Sequence, residues 1–139
     1  MMIVLDTNVI SELMRENSAP EVRAWIGAQK PANLAITTIA IAEIQRGLKR
    51  LPKGKKRNYL EAGFSAFVTE AFEGRILPFD EHAAYVYGSI AAGREKEGFN
   101  TDAVDLMIAA IVKSSEASLA TRNTRDFEGC DIRIINPWK

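Results

Sequence analysis

The sequence predicts an α/β protein, with a three-layer α/β/α sandwich built around a mainly parallel central sheet. Short apolar segments alternate along the 139 residues with segments whose apolar residues recur at helical spacing. Strands that are apolar throughout, rather than on alternate residues, are typical of sheets covered by helices on both faces. No linker, repeat or low-complexity segment interrupts the pattern, so we expect a single domain over residues 1–139.

The first half of the chain is predicted to form two strands and three helices. The apolar run IVL at 3–5 is the first strand, and helical patterns follow it at 9–15 and 20–29. LAIT at 34–37 is the second strand, and it leads into a helix over 39–50. That helix has apolar residues at nearly 3.6-residue spacing, at Ile41, Ile44 and Leu48.

The second half is predicted to continue the alternation and to supply three more strands. Pro52 and Gly54 break the chain before a long helix over 55–69. A later helix over 102–115 carries an apolar stripe, formed by Val104, Met107, Ile108 and Ile111. The remaining predicted elements are strands over 75–79, 117–121 and 132–135, a helix over 81–96 and a loop over 98–101.

The composition excludes several classes of protein. Lys+Arg and Asp+Glu number 18 each, and a net charge near zero argues against a general binder of polyanions. The single cysteine, Cys130, excludes an internal disulfide framework and fits a reducing compartment. The N-terminal apolar stretch is too short for a signal peptide, and no apolar run approaches the ~20 residues of a membrane span. We therefore expect a cytoplasmic protein that does not contact a membrane.

Acidic residues follow the predicted strands at the points where the strands end. Asp6 comes directly after the first strand, and Glu43 lies one to two turns into the helix after the second. Asp105 lies in the first turn of the helix with the apolar stripe, and Asp126 follows the fourth strand. Chemistry in an open parallel sheet lies beyond the carboxyl ends of its strands, so these carboxylates converge if the strands are neighbours.

Such a cluster of carboxylates needs a cation, because several of them cannot share a small site in ionised form. Oxygen ligands without His or Cys select Mg²⁺ or Mn²⁺ over zinc. We expect Asp6 and Asp105 to bind the metal directly, and Glu43 and Asp126 to bind a second ion or its waters. The side chains expected to support these ligands by hydrogen bonds are Thr7, Asn8, Thr121 and Asn123.

Other polar residues have simpler interpretations. Asp102 stands where a helix N-cap belongs and is interpreted as a cap rather than a ligand. Glu12, six residues after Asp6, is an additional candidate for supporting the site. His82 is expected on the surface of a helix, and as the only histidine it leaves a catalytic serine without a base. Cys130 has no evident cationic partner, so a thiolate nucleophile is not expected.

Four segments together resemble a known family. IVLDTNVISEL, TTIAIAEIQRGL, TDAVDLMIAAI and LATRNTRDF have the order and spacing of the PIN-domain ribonucleases, and the similarity extends to the C-terminal NPW. The resemblance is closest to the VapC and FitB-like toxin subunits of bacterial toxin–antitoxin pairs. It implies a metal-dependent endoribonuclease inhibited by a small antitoxin, with Asp6, Glu43 and Asp105 as acidic site residues. The family places its fourth acidic residue at the position of Asn123 or of Asp126, and here only Asp126 is acidic.

Basic residues are concentrated in one segment. Residues 46–57, RGLKRLPKGKKR, hold seven of the 18 Lys+Arg residues and no acidic residue. Two interpretations remain open, a solvated loop and helix end or a surface that holds an RNA backbone. Arg122 and Arg125 flank the expected site and either bind phosphates or pair with Asp126. The candidates for RNA binding are therefore Lys53, Lys55, Lys56, Arg57, Arg122 and Arg125.

Two other functions remain open from the sequence. A phospho-receiver signalling module also combines an α/β sheet, an acidic cluster and Mg²⁺, and Asp80 resembles its phosphoacceptor. The strand over 117–121 is followed by Arg and Asn but by no Lys, which argues against a receiver. A non-catalytic regulator that binds an antitoxin, and DNA through it, would not need an intact acidic set.

The assembly is predicted from the resemblance and from surplus apolar residues. The resemblance implies a homodimer bound to antitoxin tails, and we expect a basic antitoxin side chain to approach Asp6 and Asp105. One sheet face cannot cover all apolar residues of the first two helices and the long helix, and a large exposed apolar patch usually marks a partner site. The residues expected at this surface are Ile10, Leu13, Val22, Trp25, Ile26, Tyr59, Phe64 and Phe67.

Overall fold

The computed structural model describes residues 1–139 and contains five strands and six main helices. The strands are β1 (Ile3–Leu5), β2 (Leu34–Thr37), β3 (Ile76–Leu77), β4 (Ser118–Ala120) and β5 (Arg133–Ile135). The helices are α1 (Thr7–Leu13), α2 (Pro20–Gly27), α3 (Thr38–Lys49), α4 (Lys55–Ala71), α5 (Glu81–Lys96) and α6 (Ala103–Ser114). Two short 3₁₀ helices cover Pro31–Asn33 and Thr124–Phe127.

The five strands form one parallel sheet in the order β3-β2-β1-β4-β5. The central strand is β1, in which Ile3 pairs with Leu34 of β2 on one side and with Ser118 of β4 on the other. The strand order reverses at β1, and such a reversal is where open parallel sheets form a crevice beyond their carboxyl ends. The predicted α/β fold with a parallel sheet is confirmed.

Helices cover both faces of the sheet, and the residues of β1 alternate between two cores. Val4 belongs to a core formed mainly with α5 and α6. Ile3 and Leu5 belong to a second core, formed with α1 to α4. This burial on both faces explains why the strands are apolar without alternation. The elements that carry polar residues to the end of β1 are therefore fixed by packed helices on either side.

The third strand differs from its prediction. Only Ile76–Leu77 pairs with β2, although the predicted strand covers 75–79. Pro78 follows directly and has no N–H to donate to a ladder, so the strand ends there. Phe79 instead packs edge-on against Tyr87 of α5, with ring centroids 6.1 Å apart. β3 is thus a short edge strand.

The surplus of exposed apolar residues is smaller than predicted. Ile10, Val22 and Phe64 are buried, because α1, α2 and α4 pack onto one core and onto each other. Tyr59 is exposed as predicted, with 78% of its surface accessible. The residues left half-buried at the edge of this core are Leu13, Trp25, Ile26 and Phe67.

None of the helices combines the length and the apolar character that crossing a membrane requires.

Candidate active site

Asp6 stands at the junction between the central strand and the first helix. Its N–H donates to the carbonyl of Ala120 at 2.9 Å, so the sheet ladder continues to this residue. Its side chain caps α1, because Oδ1 accepts from the Thr7 N–H at 2.8 Å. This cap explains why α1 begins at Thr7 rather than at residue 9, as the apolar pattern predicted. Only 4% of Asp6 is accessible, so its carboxylate is buried at the end of the strand.

The second carboxylate oxygen of Asp6 is held by residues from two chain segments. Oδ2 accepts from Thr121 Oγ1 at 2.8 Å and from Asn8 Nδ2 at 3.3 Å. Thr121 follows β4, the strand beside β1, and is fully buried. The structure therefore brings Thr7, Asn8 and Thr121 into hydrogen-bond contact with the Asp6 carboxylate.

Asn8 and Thr121 also bind the loop after β4. Asn8 Oδ1 accepts from the Arg122 N–H at 3.2 Å, and its Nδ2 donates to Thr121 Oγ1 at 3.2 Å. The Asn123 N–H donates to the same Thr121 oxygen at 3.1 Å. Asn123 thus contributes its backbone to this network, and the loop that carries Asp126 is fixed relative to Asp6.

Glu43 reaches the same region from α3. Thr7 Oγ1 donates to Glu43 Oε1 at 2.6 Å, across 36 residues of sequence. Thr37 caps α3 through Oγ1, which accepts from the Ala40 N–H at 3.0 Å. The cap sets where α3 begins at the end of β2, and hence places Glu43 in its second turn, half-buried beside α1.

Asp105 projects from the first turn of α6 and is half-buried. Asp102 is the N-cap of this helix, with Oδ1 accepting from the Asp105 N–H at 3.0 Å. The interpretation of Asp102 as a cap agrees with this geometry. Its charge nevertheless acts on Asp105, because the two carboxylates lie in one turn.

The pKa values show that these carboxylates share one electrostatic environment. Burial, together with the charges of Asp102, Asp6, Asp126 and Glu43, raises the pKa of Asp105 to about 7. Burial also raises the pKa of Asp6, although hydrogen bonds from Thr121 and Thr7 oppose this effect. Keeping these carboxylates ionised therefore costs free energy through burial and mutual repulsion, and a bound cation would offset this cost.

Asp126 lies in the first turn of the 3₁₀ helix Thr124–Phe127 and is exposed. Its N–H donates to the Asn123 carbonyl at 3.1 Å. Its charge contributes to the raised pKa of both Asp6 and Asp105, so it lies close to them in space. Asp126 is thus an acidic residue of the region, at its solvent-exposed edge.

The donor set suits a hard divalent cation, because the candidate ligands are carboxylate oxygens and no His or Cys takes part. Burial and the neighbouring carboxylates raise the pKa values of Asp6 and Asp105, and a cation bound between them would oppose this rise. The carboxylates do not form a complete ligand set in this conformation. No three acidic, His or Cys side chains lie close enough together to bind one ion. Binding would require side chains to rotate or waters to complete the coordination.

The predicted RNA-binding residues fall into different settings. Lys53, Lys55 and Lys56 are exposed and line an open pocket of about 380 Å³ before α4. Arg57 instead pairs with Glu61 at 3.0 Å and is half-buried. The guanidinium of Arg122 stacks on Trp138, 5.1 Å from its ring centroid, and Arg125 lines a pocket beside Asp105 and Asp126.

Two other sequence interpretations change. The Glu12 carboxylate binds the connection between α1 and α2. Its Oε2 accepts from the Ala19 N–H at 2.9 Å, and its Oε1 accepts from Arg15 at 3.3 Å. The expectation that Cys130 has no cationic partner is wrong, because Arg94 Nη1 lies 3.8 Å from its Sγ. Burial still raises the pKa of Cys130 more than Arg94 lowers it, so a thiolate is disfavoured.

Sequence reasoning missed Arg94, which is only 4% exposed and lines the pocket beside Asp105. Little in the sequence indicated that Arg94 is buried, because an arginine near the end of a helix usually lies in solvent. Here Nη2 donates to the Asn100 carbonyl at 2.8 Å, and Nη1 donates to the Glu128 carbonyl. Arg94 thus ties the loop before α6 to the loop after Asp126. His82 is exposed on α5, as predicted.

Comparison with known proteins identifies the family. A family model described as PIN domain matches residues 3–131. The chain belongs to the PIN-domain family. It is 38% identical to Toxin FitB of Neisseria gonorrhoeae, over 99% of both chains. It is 40% identical to VapC ribonuclease Y4jK of Sinorhizobium fredii, again over 99% of both chains.

Solved structures give the same assignment. A chain in the structure of FitAB bound to an IR36 DNA fragment is 38% identical, with a TM-score of 0.93, and the match covers 99% of this chain and 96% of that one. A chain of VapBC-1 from nontypeable Haemophilus influenzae is 25% identical, with a TM-score of 0.81 and complete coverage of both chains. The range matched to the PIN domain includes Asp6, Glu43, Asp105 and Asp126.

Proposed function

We propose that this PIN-domain protein is a divalent-metal-dependent endoribonuclease and the toxin of a type II toxin–antitoxin pair. The observation that carries the proposal is the group of buried and half-buried carboxylates at the end of β1, where burial and the neighbouring charges raise the pKa of Asp105 to about 7. Support for the substrate and for toxin function comes from similarity to proteins named VapC ribonuclease and Toxin FitB.

Asp6 and Asp105 are proposed to hold a Mg²⁺ or Mn²⁺ ion, with Glu43 and Asp126 binding a second ion or its waters. The chemistry that such ions supply is activation of a water and neutralisation of charge on a phosphate. Thr7 would orient Glu43, as its hydroxyl already donates to that carboxylate at 2.6 Å. Thr121 and Asn8 would orient the Asp6 carboxylate and favour its ionised form, because both donate to Oδ2.

RNA is proposed to reach the site over basic surfaces on two sides. Lys53, Lys55 and Lys56 are free to bind phosphates, since no acidic residue pairs with them. Arg57 is assigned instead to stabilising α4, through Glu61. Arg122 and Arg125 follow Thr121 in the chain and would bind the RNA near the bond that is cleaved.

The protein partner is proposed to be a small antitoxin, which would also provide any contact with DNA. Two adjoining apolar pockets, of about 370 and 330 Å³, both include Leu13 and Phe67 and run between α1, α2 and α4. This groove suits an apolar C-terminal segment of the antitoxin. Support comes from the related FitAB complex, solved with a DNA fragment. An intracellular RNA substrate and a single cysteine fit action in the cytoplasm.

The test is cleavage of RNA by the purified protein, assayed with Mg²⁺, with Mn²⁺ and with a chelator, and compared with single-stranded DNA. We expect cleavage of RNA only when a divalent ion is present. Asp6→Asn serves as the control for contaminating nucleases, because it removes one proposed ligand. Equal cleavage by the wild type and Asp6→Asn, or full activity in the chelator, would contradict the proposal.

A further inference from the structure

A pocket of about 250 Å³ lies beside the proposed active site and extends past it. Asp105 and Asp126 form part of its wall, so the pocket opens onto the carboxylates. Its remaining wall includes Phe99, Asn100 and Arg125, which neither hold a metal nor belong to the residues that support Asp6. The pocket is therefore larger and chemically more varied than a metal and a phosphate require.

The Phe99 ring, which forms the aromatic wall of this pocket, is held in place by its neighbours. The guanidinium carbon of Arg94 lies 4.7 Å from the ring centroid of Phe99. Gly129 packs against the same ring, since a Cβ at that position would come within 3.1 Å of Phe99 Cε2. The Phe99 N–H also donates to the Arg94 carbonyl at 3.0 Å. A ring held in this way offers a rigid apolar surface.

The polar groups of the wall are available to a ligand. Asn100 is exposed, and the bond that fixes it uses its backbone carbonyl, which accepts from Arg94 Nη2 at 2.8 Å. Arg125 is exposed and forms none of the ion pairs in the protein, so the alternative in which it pairs with Asp126 is not observed. The amide of Asn100 donates and accepts, the Arg125 guanidinium donates, and the nearby carboxylates accept.

This combination matches a nucleobase better than a second phosphate. A phosphate would gain nothing from the Phe99 ring, and the charge of Asp102, which is not assigned to a metal, would repel it. A base is uncharged, presents donors and acceptors on its edge, and stacks on aromatic side chains once it leaves the RNA stack.

Resting on the proposed ribonuclease function, we propose that this pocket binds the base of a nucleotide next to the cleaved phosphodiester. Phe99 provides the stacking surface, and Asn100 and Arg125 bind the edge of the base. Because the base enters beside Asp105, its fit determines which bond meets the carboxylates. The pocket would therefore give the enzyme a base preference at one position flanking the cut.

The first experiment maps the cut sites in an RNA library of random sequence, for the wild type, Phe99→Leu and Asn100→Ala. We expect a base preference at one flanking position in the wild type. Both variants should lose that preference, and Phe99→Leu should cleave the preferred sequence roughly 10-fold more slowly, a loss within the range seen when a stacked base loses its aromatic partner. Tyr85→Leu is the matched control, because it removes an exposed aromatic ring from α5, outside the pocket. It should cleave with wild-type preference.

Three outcomes of the mapping would overturn the proposal. They are a wild type without preference at either flanking position, variants that keep the preference, and a control that loses it. Circular dichroism shows whether Phe99→Leu folds. Asn100→Ala decides the question if it does not, because the side chain of Asn100 is not packed in the core.

A binding measurement separates failure of the pocket from failure of the ribonuclease assignment. Asp6→Asn is titrated with single-stranded RNA that carries fluorescent 2-aminopurine, and stacking on Phe99 should quench the fluorescence. Adding Phe99→Leu to this variant should abolish the quenching. Quenching without any RNA cleavage by the wild type would refute the ribonuclease function while supporting the pocket. Absence of quenching in Asp6→Asn would refute the pocket.

Discussion

At the scale of single residues, Asp6 shows how a buried charge is retained in this protein. Its carboxylate accepts from Thr7, Asn8 and Thr121, which replace part of the water that burial removes. These bonds do not fully compensate, because its pKa remains raised. A remaining free-energy cost of keeping the Asp6 carboxylate ionised is expected at a site that binds a cation.

Asp6→Asn and Asp105→Asn should each lower RNA cleavage by more than about 100-fold, because residues that only support a metal ligand already cost roughly 10–100-fold. Both variants should fold, since an amide can occupy the same space. Asp102→Asn is the matched control, because Asn also caps a helix well and should leave cleavage nearly unchanged. Cleavage within tenfold of wild type in either of the first two variants would rule out that residue as a direct ligand.

Asp105 should make the metal-free protein less stable as the pH rises. The folded carboxyl titrates near pH 7 instead of its usual 3.8, so between these values the unfolded state has released a proton that the folded state keeps. Stability from this group is fully present below about pH 4 and is lost as the pH approaches 7. Asp105→Asn should remove this slope and raise the melting temperature at pH 7.5 by a few degrees, roughly 2–4 °C per kcal/mol.

Thermal unfolding in a chelator, from pH 4.5 to 7.5, measures the slope for the wild type and Asp105→Asn. Added Mn²⁺ should then stabilise the wild type more than the variant, because only the wild type retains the full ligand set. If the difference in unfolding free energy between the wild type and Asp105→Asn does not change with pH, the raised pKa of Asp105 is contradicted.

At the scale of elements, the connection between α3 and α4 sorts its basic residues into two groups. Lys49 and Arg57 both pair with Glu61, at 3.1 and 3.0 Å, and so join the end of α3 to the start of α4. These pairs lower the pKa of Glu61. The lysines at 53, 55 and 56 have no such partner and remain free around an open pocket. The sequence shows one basic run, but the structure divides it by role.

Replacing Lys53, Lys55 and Lys56 with Gln should weaken RNA binding and make it less sensitive to salt. Each phosphate contact adds roughly 0.7 to the slope of log affinity against log salt on single strands, so three lost contacts should lower the slope by roughly 2. Fluorescence anisotropy with a labelled RNA and the Asp6→Asn background gives this slope without cleavage. Arg57→Gln is the control and should leave the slope nearly unchanged. An unchanged slope in the triple variant would identify the run as a solvated loop.

At the scale of the whole molecule, packing leaves an apolar groove on one face of the sheet. Leu13 and Phe67 are half-buried, and they connect the two pockets between α1, α2 and α4. Tyr59 lines the same groove and is 78% exposed. Apolar surface of this kind usually marks a partner site, and here we assign it to the antitoxin.

Leu13→Glu and Tyr59→Glu should each weaken antitoxin binding by at least about tenfold, because a charge in an apolar groove must be desolvated when the partner binds. RNA cleavage by the free toxin should remain, since neither residue contacts the carboxylates. Tyr85→Glu is the matched control, because Tyr85 is 75% exposed and does not line the groove. Calorimetric titration with the antitoxin measures the effect, and wild-type affinity in both groove variants would place the antitoxin elsewhere.

The free toxin is also predicted to form a two-fold dimer, in which an antitoxin arginine competes with metal for Asp6 and Asp105. Sedimentation at micromolar concentration should give the mass of a dimer, and a purely monomeric protein would refute this part. Bound antitoxin should weaken Mn²⁺ binding by at least about tenfold. If metal affinity is unchanged in the complex, inhibition acts by blocking RNA and not by occupying the carboxylates.

The order of elements and the acidic residues could be predicted from the sequence because both depend on local patterns. Apolar runs determine buried strands, helical spacing determines amphipathic helices, and polar residues stand out where apolar strands end. Asp102 could be interpreted as a cap from its position alone, and the structure shows that bond. The edge strand at Ile76–Leu77 was predicted too long, because its ladder ends at Pro78, which has no N–H to donate.

Only the tertiary structure decided which residues meet across long stretches of chain. Thr121 binds Asp6 across 115 residues, and Thr7 binds Glu43 across 36, because parallel strands bring their carboxyl ends to one edge. Arg94 illustrates the same limit, since its burial depends on two loops that close over the end of α5. The sequence by itself determined which chemical groups were available, and packing determined which of them share a site, because contacts between distant segments exist only in the folded chain.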